Sequence, residues 1–225
     1  MNQLIPIAPG LWVVQRPQRF WGVEVGTRMT VASLPGGGLF VHSPVALDGE
    51  LRAEIGALGE PRAVVAPSRF HHLFVPEWAK AWPRAELWAC PGLGAKRPDV
   101  KWTGLLGDTP EAAWRGEVEQ VHFAARTLED EVVFFHQGSR TLVCADAVFN
   151  LDVHPDWFTR LAAFGLGNRG PGATWMERFL IRDRPAARAQ LDRMLAWGAE
   201  RIVLAHGGLV EEGGTEVLRA AYAWI

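Results

Sequence analysis

Three short apolar runs in this sequence each lead to a residue that can bind a metal ion, and this pattern constrains the fold most strongly. The runs and the residues that follow them are 63–66 (AVVA) before His71 and His72, 142–145 (LVCA) before Asp146, and 201–205 (RIVLA) before His206. Short apolar runs of this kind are typical of buried strands. Because α/β folds build their sites at the carboxyl ends of strands, the sequence predicts an α/β fold in which these side chains meet.

The residue types at the strand ends suit a metal site. Imidazole nitrogen and carboxylate oxygen are common ligands of Zn²⁺, Fe and Mn²⁺. The glycines that follow His206 allow the backbone to turn sharply. Each residue also has an ordinary interpretation, since Asp146 could cap a turn and His206 could bind a backbone carbonyl. Ligand-type residues at three separate strand ends favour a shared metal site over three unrelated roles.

Hydrophobic spacing predicts a β-rich first half and a mainly helical last third. The predicted strands are 11–15, 23–25, 28–33, 38–42, 86–89, 118–123, 131–136, 141–145 and 201–205, and the predicted helices are 48–58, 73–82, 157–164, 174–181, 185–197 and 215–224. Asp48 is the expected cap of the first helix and Gly59 its stop. A length of 225 residues suits one sizeable core, so residues 1–225 are expected to form a single domain.

Composition argues against several partners. The formal net charge is −2 and the basic residues are scattered, which predicts no nucleic acid or anionic membrane partner. No run approaches 18 apolar residues, so no membrane-spanning segment is expected. Cys90 and Cys144 lie in apolar stretches, and residues 1–10 do not have the pattern of a signal peptide, so we expect a cytoplasmic protein. The sequence leaves the oligomeric state open.

Competing motifs are weaker. Residues 165–170 fit G-x-G-x-x-G, but they follow a helical pattern rather than a strand, which favours a glycine-rich loop over a dinucleotide site. Ser68 near His71 lacks the nucleophile elbow of a serine hydrolase. His154 is a weaker ligand candidate. The remaining histidines, interpreted as structural, are His42, His122 and His136.

The order of these elements and their terminal residues resembles the metallo-β-lactamase superfamily. The stretches 26–31 (GTRMTV), 41–44 (VHSP), 70–74 (FHHLF) and 139–142 (SRTL) resemble an uncharacterised branch, known mainly as a domain of unknown function. The resemblance covers essentially the whole chain. It implies an α/β fold of the αββα type, a four-layer sandwich of two mixed β-sheets flanked by helices.

The resemblance also implies an altered metal motif. The superfamily carries His-x-His-x-Asp-His, which supplies ligands to two metals. With a one-residue gap, His72 matches the terminal histidine and His71 the aspartate, while residues 67–70 offer no good ligand at the two earlier histidine positions. Asp146 matches the bridging carboxylate and His206 the final histidine. The surviving ligands belong mainly to the second metal position, which implies one divalent ion, Zn²⁺ before Fe or Mn.

Two further family positions and the function remain open. A histidine pair of the family falls near Thr127 and Glu131, which makes Glu131 a candidate catalytic base or a partner of a ligand, unless it is an exposed carboxylate paired with an arginine. One predicted function is a metal-dependent hydrolase that acts on a small ester, amide, thioester or phosphate substrate. The alternative is a degenerate, non-catalytic member that binds a ligand or a protein.

Overall fold

Two β-sheets packed face to face form the centre of the molecule in the computed structural model, which describes residues 3–124 and 130–225. The strands are β1 (Ile5–Ala8), β2 (Leu11–Arg16), β3 (Arg19–Phe20), β4 (Val23–Glu24), β5 (Thr27–Ser33), β6 (Gly38–His42), β7 (Glu60–Ala66), β8 (Glu86–Ala89), β9 (Gly104–Leu105), β10 (Val118–Phe123), β11 (Glu131–His136), β12 (Thr141–Val143) and β13 (Arg201–Val203). The helices are α1 (Gly49–Leu58), α2 (Val75–Ala81), α3 (Leu93–Lys96), α4 (Trp157–Gly165), α5 (Glu177–Leu180), α6 (Arg184–Ala196) and α7 (Gly214–Ala221). The family position near Thr127 lies outside the described residues.

Both sheets are mixed. The first has the strand order β1-β2-β5-β6-β7-β8-β9, antiparallel from β1 to β6 and parallel from β6 to β9. The second has the order β10-β11-β12-β13, and only its last pair is parallel. A small separate hairpin pairs β3 with β4.

The apolar runs are continuous because both faces of the central strands are buried. In β7, Ala63 and Val65 face the core between the sheets, whereas Val64 and Ala66 face the helix side. The outer face of the first sheet is covered by helices that contribute Leu51, Ile55 and Trp78 to one cluster. The outer face of the second sheet is covered by helices that contribute Ala187, Leu191, Met194 and Leu218 to another. These four layers confirm the predicted αββα sandwich.

Local signals at the first helix behave as predicted. The Asp48 side chain accepts a hydrogen bond from the Leu51 N–H at 2.8 Å and caps α1. Gly59 ends the helix with φ 156°, and a Cβ on it would lie 2.2 Å from the Gly37 carbonyl oxygen. Only glycine fits this close approach.

Other boundaries differ from the predictions. The helix expected over 174–181 is restricted to Glu177–Leu180, and β12 and β13 each stop two residues earlier than expected. Both strands stop early because the chain leaves the sheet toward Asp146 and His206. Strand β1 was not predicted, since Pro6 removes a backbone donor and fits only an edge strand. None of the described helices is long and apolar enough to cross a membrane.

Candidate metal centre

Three of the predicted metal ligands meet between the two sheets. His71 Nε2 lies 3.4 Å from Asp146 Oδ2, and His206 Nε2 lies 3.3 Å from Asp146 Oδ1. The Nε2 atoms of His71 and His206 are 3.3 Å apart. All three side chains are buried. We call these residues the His-Asp-His cluster.

The topology explains why the cluster forms. Strands β12 and β13 are parallel neighbours in register, with Val143 paired to Val203. Asp146 and His206 each follow that pair by three residues, so they leave the sheet side by side. His71 reaches them from the first sheet, in the turn that follows β7. The cluster therefore joins the two sheets.

The outer nitrogen of each cluster histidine is anchored. His206 Nδ1 donates a hydrogen bond to the Gly26 carbonyl oxygen at 2.7 Å. In the neutral ring, the lone pair of Nε2 therefore faces the cluster. His71 Nδ1 lies 2.8 Å from Ser43 Oγ, and Ser43 is buried with a left-handed φ of 54°. Metal-binding histidines commonly have such a partner on the second nitrogen, because it fixes the tautomer and the ring orientation.

A buried arginine holds the segment that carries His206. The Arg28 guanidinium donates to the carbonyl oxygens of Leu204 and Gly207, the latter at 2.6 Å, and its side chain is 4% exposed. Burial lowers the pKa of Arg28 to about 10, which leaves the group charged at neutral pH. Gly207 has φ +98°, and a Cβ on it would lie 2.0 Å from the Asn150 carbonyl oxygen, so no side chain fits.

Electrostatics favour a charged cluster. Burial acts to raise the pKa of Asp146, but the charge of His71 and the hydrogen bonds from His206 and His71 lower it by more, so the pKa lies well below its ordinary value. Burial acts to lower the pKa of His206, but the hydrogen bond and charge of Asp146 raise it by more. A buried carboxylate in this position needs positive charge beside it. Either histidine protons or a cation can supply that charge.

The donor atoms lie close enough to share a single divalent ion, since one from each residue lies within 4.8 Å of the other two. Donors that surround Zn²⁺ tetrahedrally at about 2.0–2.1 Å are separated from one another by about 3.3–3.4 Å. The shortest separations in the cluster are 3.3–3.4 Å, and the two that reach Asp146 end on different carboxylate oxygens. Within residues 3–124 and 130–225, it is the one group of three or more His, Cys, Asp or Glu residues whose donor atoms lie close enough to share an ion.

The structure does not bring His72 into the cluster. Its Nδ1 lies 3.0 Å from Arg97 Nη1, and Arg97 is held in turn by Asp99 at 2.8 and 2.7 Å. Burial, followed by the charges of Lys96 and Arg97, lowers the pKa of His72 to about 4. The two histidines diverge because the turn at Ser68, whose Oγ accepts the His71 N–H at 3.4 Å, directs neighbouring side chains differently. A ligand role for His72 stays a prediction that this geometry does not favour.

Glu131 binds the backbone of the segment that carries Asp146. It is fully buried, which corrects the expectation of an exposed carboxylate. One carboxylate oxygen accepts the Ala145 N–H in a short hydrogen bond, and the other accepts the Asp146 N–H at 2.9 Å. The arrangement suits the predicted role as a partner of a ligand. A role as catalytic base stays untested.

The other histidines lie outside the cluster. His154 Nδ1 accepts the Asp156 N–H at 3.1 Å. His136 Nδ1 lies 2.7 Å from Ser139 Oγ, and His122 Nε2 lies 4.0 Å from an oxygen of Asp130. His42 is fully buried, and burial lowers its pKa to about 3, so the ring stays neutral.

A cavity of about 390 Å³ opens over the cluster. Apolar side chains form most of its wall, including Phe20, Phe70, Leu73, Phe149, Leu166 and Met176. A larger hollow of about 1010 Å³, near the opposite ends of β12 and β13, contains none of the predicted site residues. The cavity that includes the cluster is therefore the candidate functional site.

Sequence reasoning did not identify the residues that support the cluster. Gly26, Arg28 and Ser43 fall inside the stretches 26–31 and 41–44, which in the sequence indicate only a resemblance to a family branch. The cavity wall also escaped prediction, because exposed aromatic residues have no sequence signal that separates a binding site from ordinary surface.

Solved structures with the same architecture cover nearly the whole chain. A metallo-β-lactamase from Pontibacter korlensis matches with a TM-score of 0.69 at 13% identity, over 98% of this chain and 97% of its own. The metallo-β-lactamase DIM-1 matches with a TM-score of 0.68 at 13% identity, over 98% and 95%. The metallo-β-lactamase FIM-1 from Pseudomonas aeruginosa, in its mono-zinc form, matches with a TM-score of 0.64 at 11% identity, over 98% and 93%. The chain therefore has the metallo-β-lactamase fold, as its sequence predicted.

A narrower assignment comes from a family model. Residues 9–170 match the family described as a domain of unknown function, DUF4336, and the chain belongs to that family. The predicted placement in an uncharacterised family with the metallo-β-lactamase fold is thus confirmed. At identities of 11–14% the solved structures establish the fold alone, so the chemistry must be argued from the cluster.

Proposed function

We propose that this protein is a metal-dependent hydrolase that binds one divalent ion, Zn²⁺ before Fe or Mn, through His71, Asp146 and His206. Its substrate would be a small ester, amide, thioester or phosphate. The observation that carries the proposal is the cluster itself, in which one donor atom from each of the three buried residues lies within 4.8 Å of the other two. Three protein ligands are typical of catalytic zinc sites, which keep a further position open, whereas structural sites use four.

The ion would supply Lewis acidity, which polarises a carbonyl or phosphoryl oxygen and makes water a nucleophile at neutral pH. The chain supplies the rest. Asp146 contributes the balancing negative charge, and Gly26 and Ser43 fix the ring orientations of the two histidines. The apolar wall of the cavity limits access of bulk water, which strengthens every electrostatic interaction inside it.

A non-catalytic binding function is the second candidate. It is favoured by residues 67–70, where the superfamily motif has two histidines and this chain has Pro67, Ser68, Arg69 and Phe70. The Ser68 hydroxyl is occupied by the N–H groups of Phe70 and His71. A protein without the first metal position could keep the cavity for ligand binding alone.

Metal analysis of protein purified without chelator separates the two candidates. The hydrolase proposal expects one equivalent of metal per chain, and a His206→Ala variant should bind it at least about 100-fold more weakly, beyond the 10–100-fold effect of removing outer partners. His122→Ala is the matched control, because that histidine lies outside the cluster and should leave the metal content unchanged.

The decisive negative result is a folded wild-type protein that stays metal-free after dialysis against Zn²⁺, Fe²⁺ and Mn²⁺. It would leave the binding function as the better candidate. If the metal is retained, a hydrolase screen across the four substrate classes should show activity in the wild type and in His122→Ala, and none in His206→Ala.

A further inference from the structure

We infer that the cavity over the His-Asp-His cluster binds an apolar acyl chain, so that the substrate is an ester, amide or thioester of a medium-chain acyl group. The reaction in this inference rests on the proposed function, while the nature of the substrate rests on the cavity. A volume of about 390 Å³ falls within the range of about 300–1,000 Å³ that small-molecule sites occupy.

Apolar side chains form much of the inner wall of the cavity, beside the polar Thr27, Thr174 and buried Glu177. The Phe149 ring stacks on the His206 ring, with centroids 5.8 Å apart and planes 10° apart. Leu166 and Met176 continue this wall. A substrate carbonyl placed at the cluster would therefore have hydrocarbon surface next to it. An acyl chain matches that surface, whereas a polar substituent would lose its water without gaining partners.

The mouth of the cavity exposes apolar side chains to water. Phe20, Phe70 and Leu73 line the cavity and are also 48%, 42% and 54% exposed. Phe20 meets Phe70 edge to face at 6.2 Å, and Trp21 stacks on the outer side of Phe20 at 4.9 Å while remaining 92% exposed. A contiguous exposed apolar patch beside a cavity is a mark of a ligand site. A chain that leaves the cavity would cover these rings.

The charges argue against a phosphate substrate. Phosphates are recognised by converging cations or by free N–H groups at a helix N-terminus. Among the described residues that line this cavity, Lys96 is the sole lysine or arginine. Its Nζ donates to the Arg69 carbonyl oxygen at 2.7 Å and lies 5.3 Å from the Phe70 ring centroid, toward the mouth. One cation at the rim does not make a phosphate site.

Neutral ligands that cannot be hydrolysed test the inference without relying on activity. Binding of 2-hexanone, 2-octanone, 2-decanone and 2-dodecanone would be measured by calorimetry, with the fluorescence of the exposed Trp21 as a second signal. We expect affinity to rise by up to about fourfold per methylene until the cavity and its mouth are filled. The same rise should occur in the wild type with and without chelator.

Matched variants locate the binding site. Leu73→Gln should weaken 2-decanone binding by about three- to tenfold, because half-exposed Leu73 would be covered by the chain. Leu105→Gln is the control, since Leu105 is 58% exposed but does not line the cavity. Both side chains are largely in water, so neither change should unfold the protein.

Three outcomes would decide whether the cavity binds an acyl chain. Affinity that does not depend on chain length, or that falls equally in Leu73→Gln and Leu105→Gln, overturns the acyl assignment even if the metal is present. Binding of the protein to phosphatidylcholine vesicles without chain-length dependence for the ketones overturns it in favour of a lipid surface. Chain-length dependence in a protein that binds no metal supports the acyl cavity and refutes only the hydrolase proposal.

Discussion

At the scale of single residues, groups outside the His-Asp-His cluster hold its members in place. Glu131 accepts the N–H groups of both Ala145 and Asp146, so its two oxygens fix the backbone that carries the cluster carboxylate. Ser43 and Gly26 do the same for the histidine rings. Such partners determine where a donor atom lies to within a few tenths of an ångström, which is the tolerance that metal binding requires.

Glu131→Gln tests the positioning role. The change keeps the size of the side chain but replaces one acceptor oxygen with an NH₂ group facing a backbone N–H. We expect the free energy of unfolding to fall by about 1–3 kcal/mol and metal affinity to fall about 10–100-fold. Urea denaturation and metal titration measure the two effects.

The control for this variant is Glu119→Gln. Glu119 accepts an exposed hydrogen bond from Gln137, so its replacement should change neither the free energy of unfolding nor the metal affinity. A Glu131→Gln protein that binds metal normally but loses all activity would contradict positioning and support the catalytic base instead. The pH dependence of kcat separates the two roles further, because only loss of a base removes its titration from the profile.

At the scale of elements, the site is assembled by the segments that follow strands. The apolar runs of β7, β12 and β13 were readable from the sequence, because strands buried on both faces need continuous hydrophobic residues. The choice between His71 and His72 was not readable. It depends on the turn at Ser68, and neighbouring residues in a turn point in directions that hydrophobic patterning does not encode.

The predicted helix over 174–181 is a second case in which hydrophobic spacing did not predict the local structure. Its apolar residues have helical spacing, yet Met176 lines the cavity and Phe179 is 70% exposed. Met176 faces the cavity and Phe179 faces solvent, so the two do not form a helix face packed on a sheet. Only Glu177–Leu180 is helical as a result. Periodicity could predict the layers of the fold but not the walls of its cavity.

Arg28→Gln tests the anchoring of the segment that carries His206. Arg28 makes charge-assisted hydrogen bonds to the carbonyl oxygens of Leu204 and Gly207, which the shorter neutral side chain cannot replace. We expect a loss of about 1.5–3 kcal/mol in the free energy of unfolding and metal affinity lower by about 10–100-fold. Denaturation curves and metal titration provide the measurements.

Arg84→Gln serves as the comparison, because its side chain is 84% exposed in an ion pair with Glu60. An exposed pair of this kind contributes at most about 1 kcal/mol. If both variants lowered metal affinity to the same extent, Arg28 would have no specific part in the site.

At the scale of the whole molecule, the cluster links the two sheets of the sandwich. His71 follows a strand of the first sheet, whereas Asp146 and His206 follow strands of the second. An ion held by all three side chains would bind the folded protein and not the unfolded chain, because the three donors meet only in the fold. Metal binding and folding are therefore expected to be coupled.

Metal removal should lower the stability of the entire fold. At a free metal concentration about 100 times Kd, the free energy of unfolding should rise by about 2.7 kcal/mol relative to protein in chelator. For a chain of 225 residues this corresponds to a Tm increase of about 5–11 °C. Thermal unfolding with and without chelator measures it. His71→Ala should show no such increase, and a metal-induced rise of the same size in that variant would place the ion elsewhere.

The hydrogen bonds that anchor His206 join distant parts of the chain. Arg28 and Leu204 are 176 residues apart, and Gly26 and His206 are 180 apart. A ribosome builds the first sheet, His71 and Asp146 long before it reaches residue 206, so a nascent chain lacks the site until its final strand has been made. A product that stops before residue 206 would have no complete donor set, so an ion that needs all three donors would bind only chains elongated past that residue.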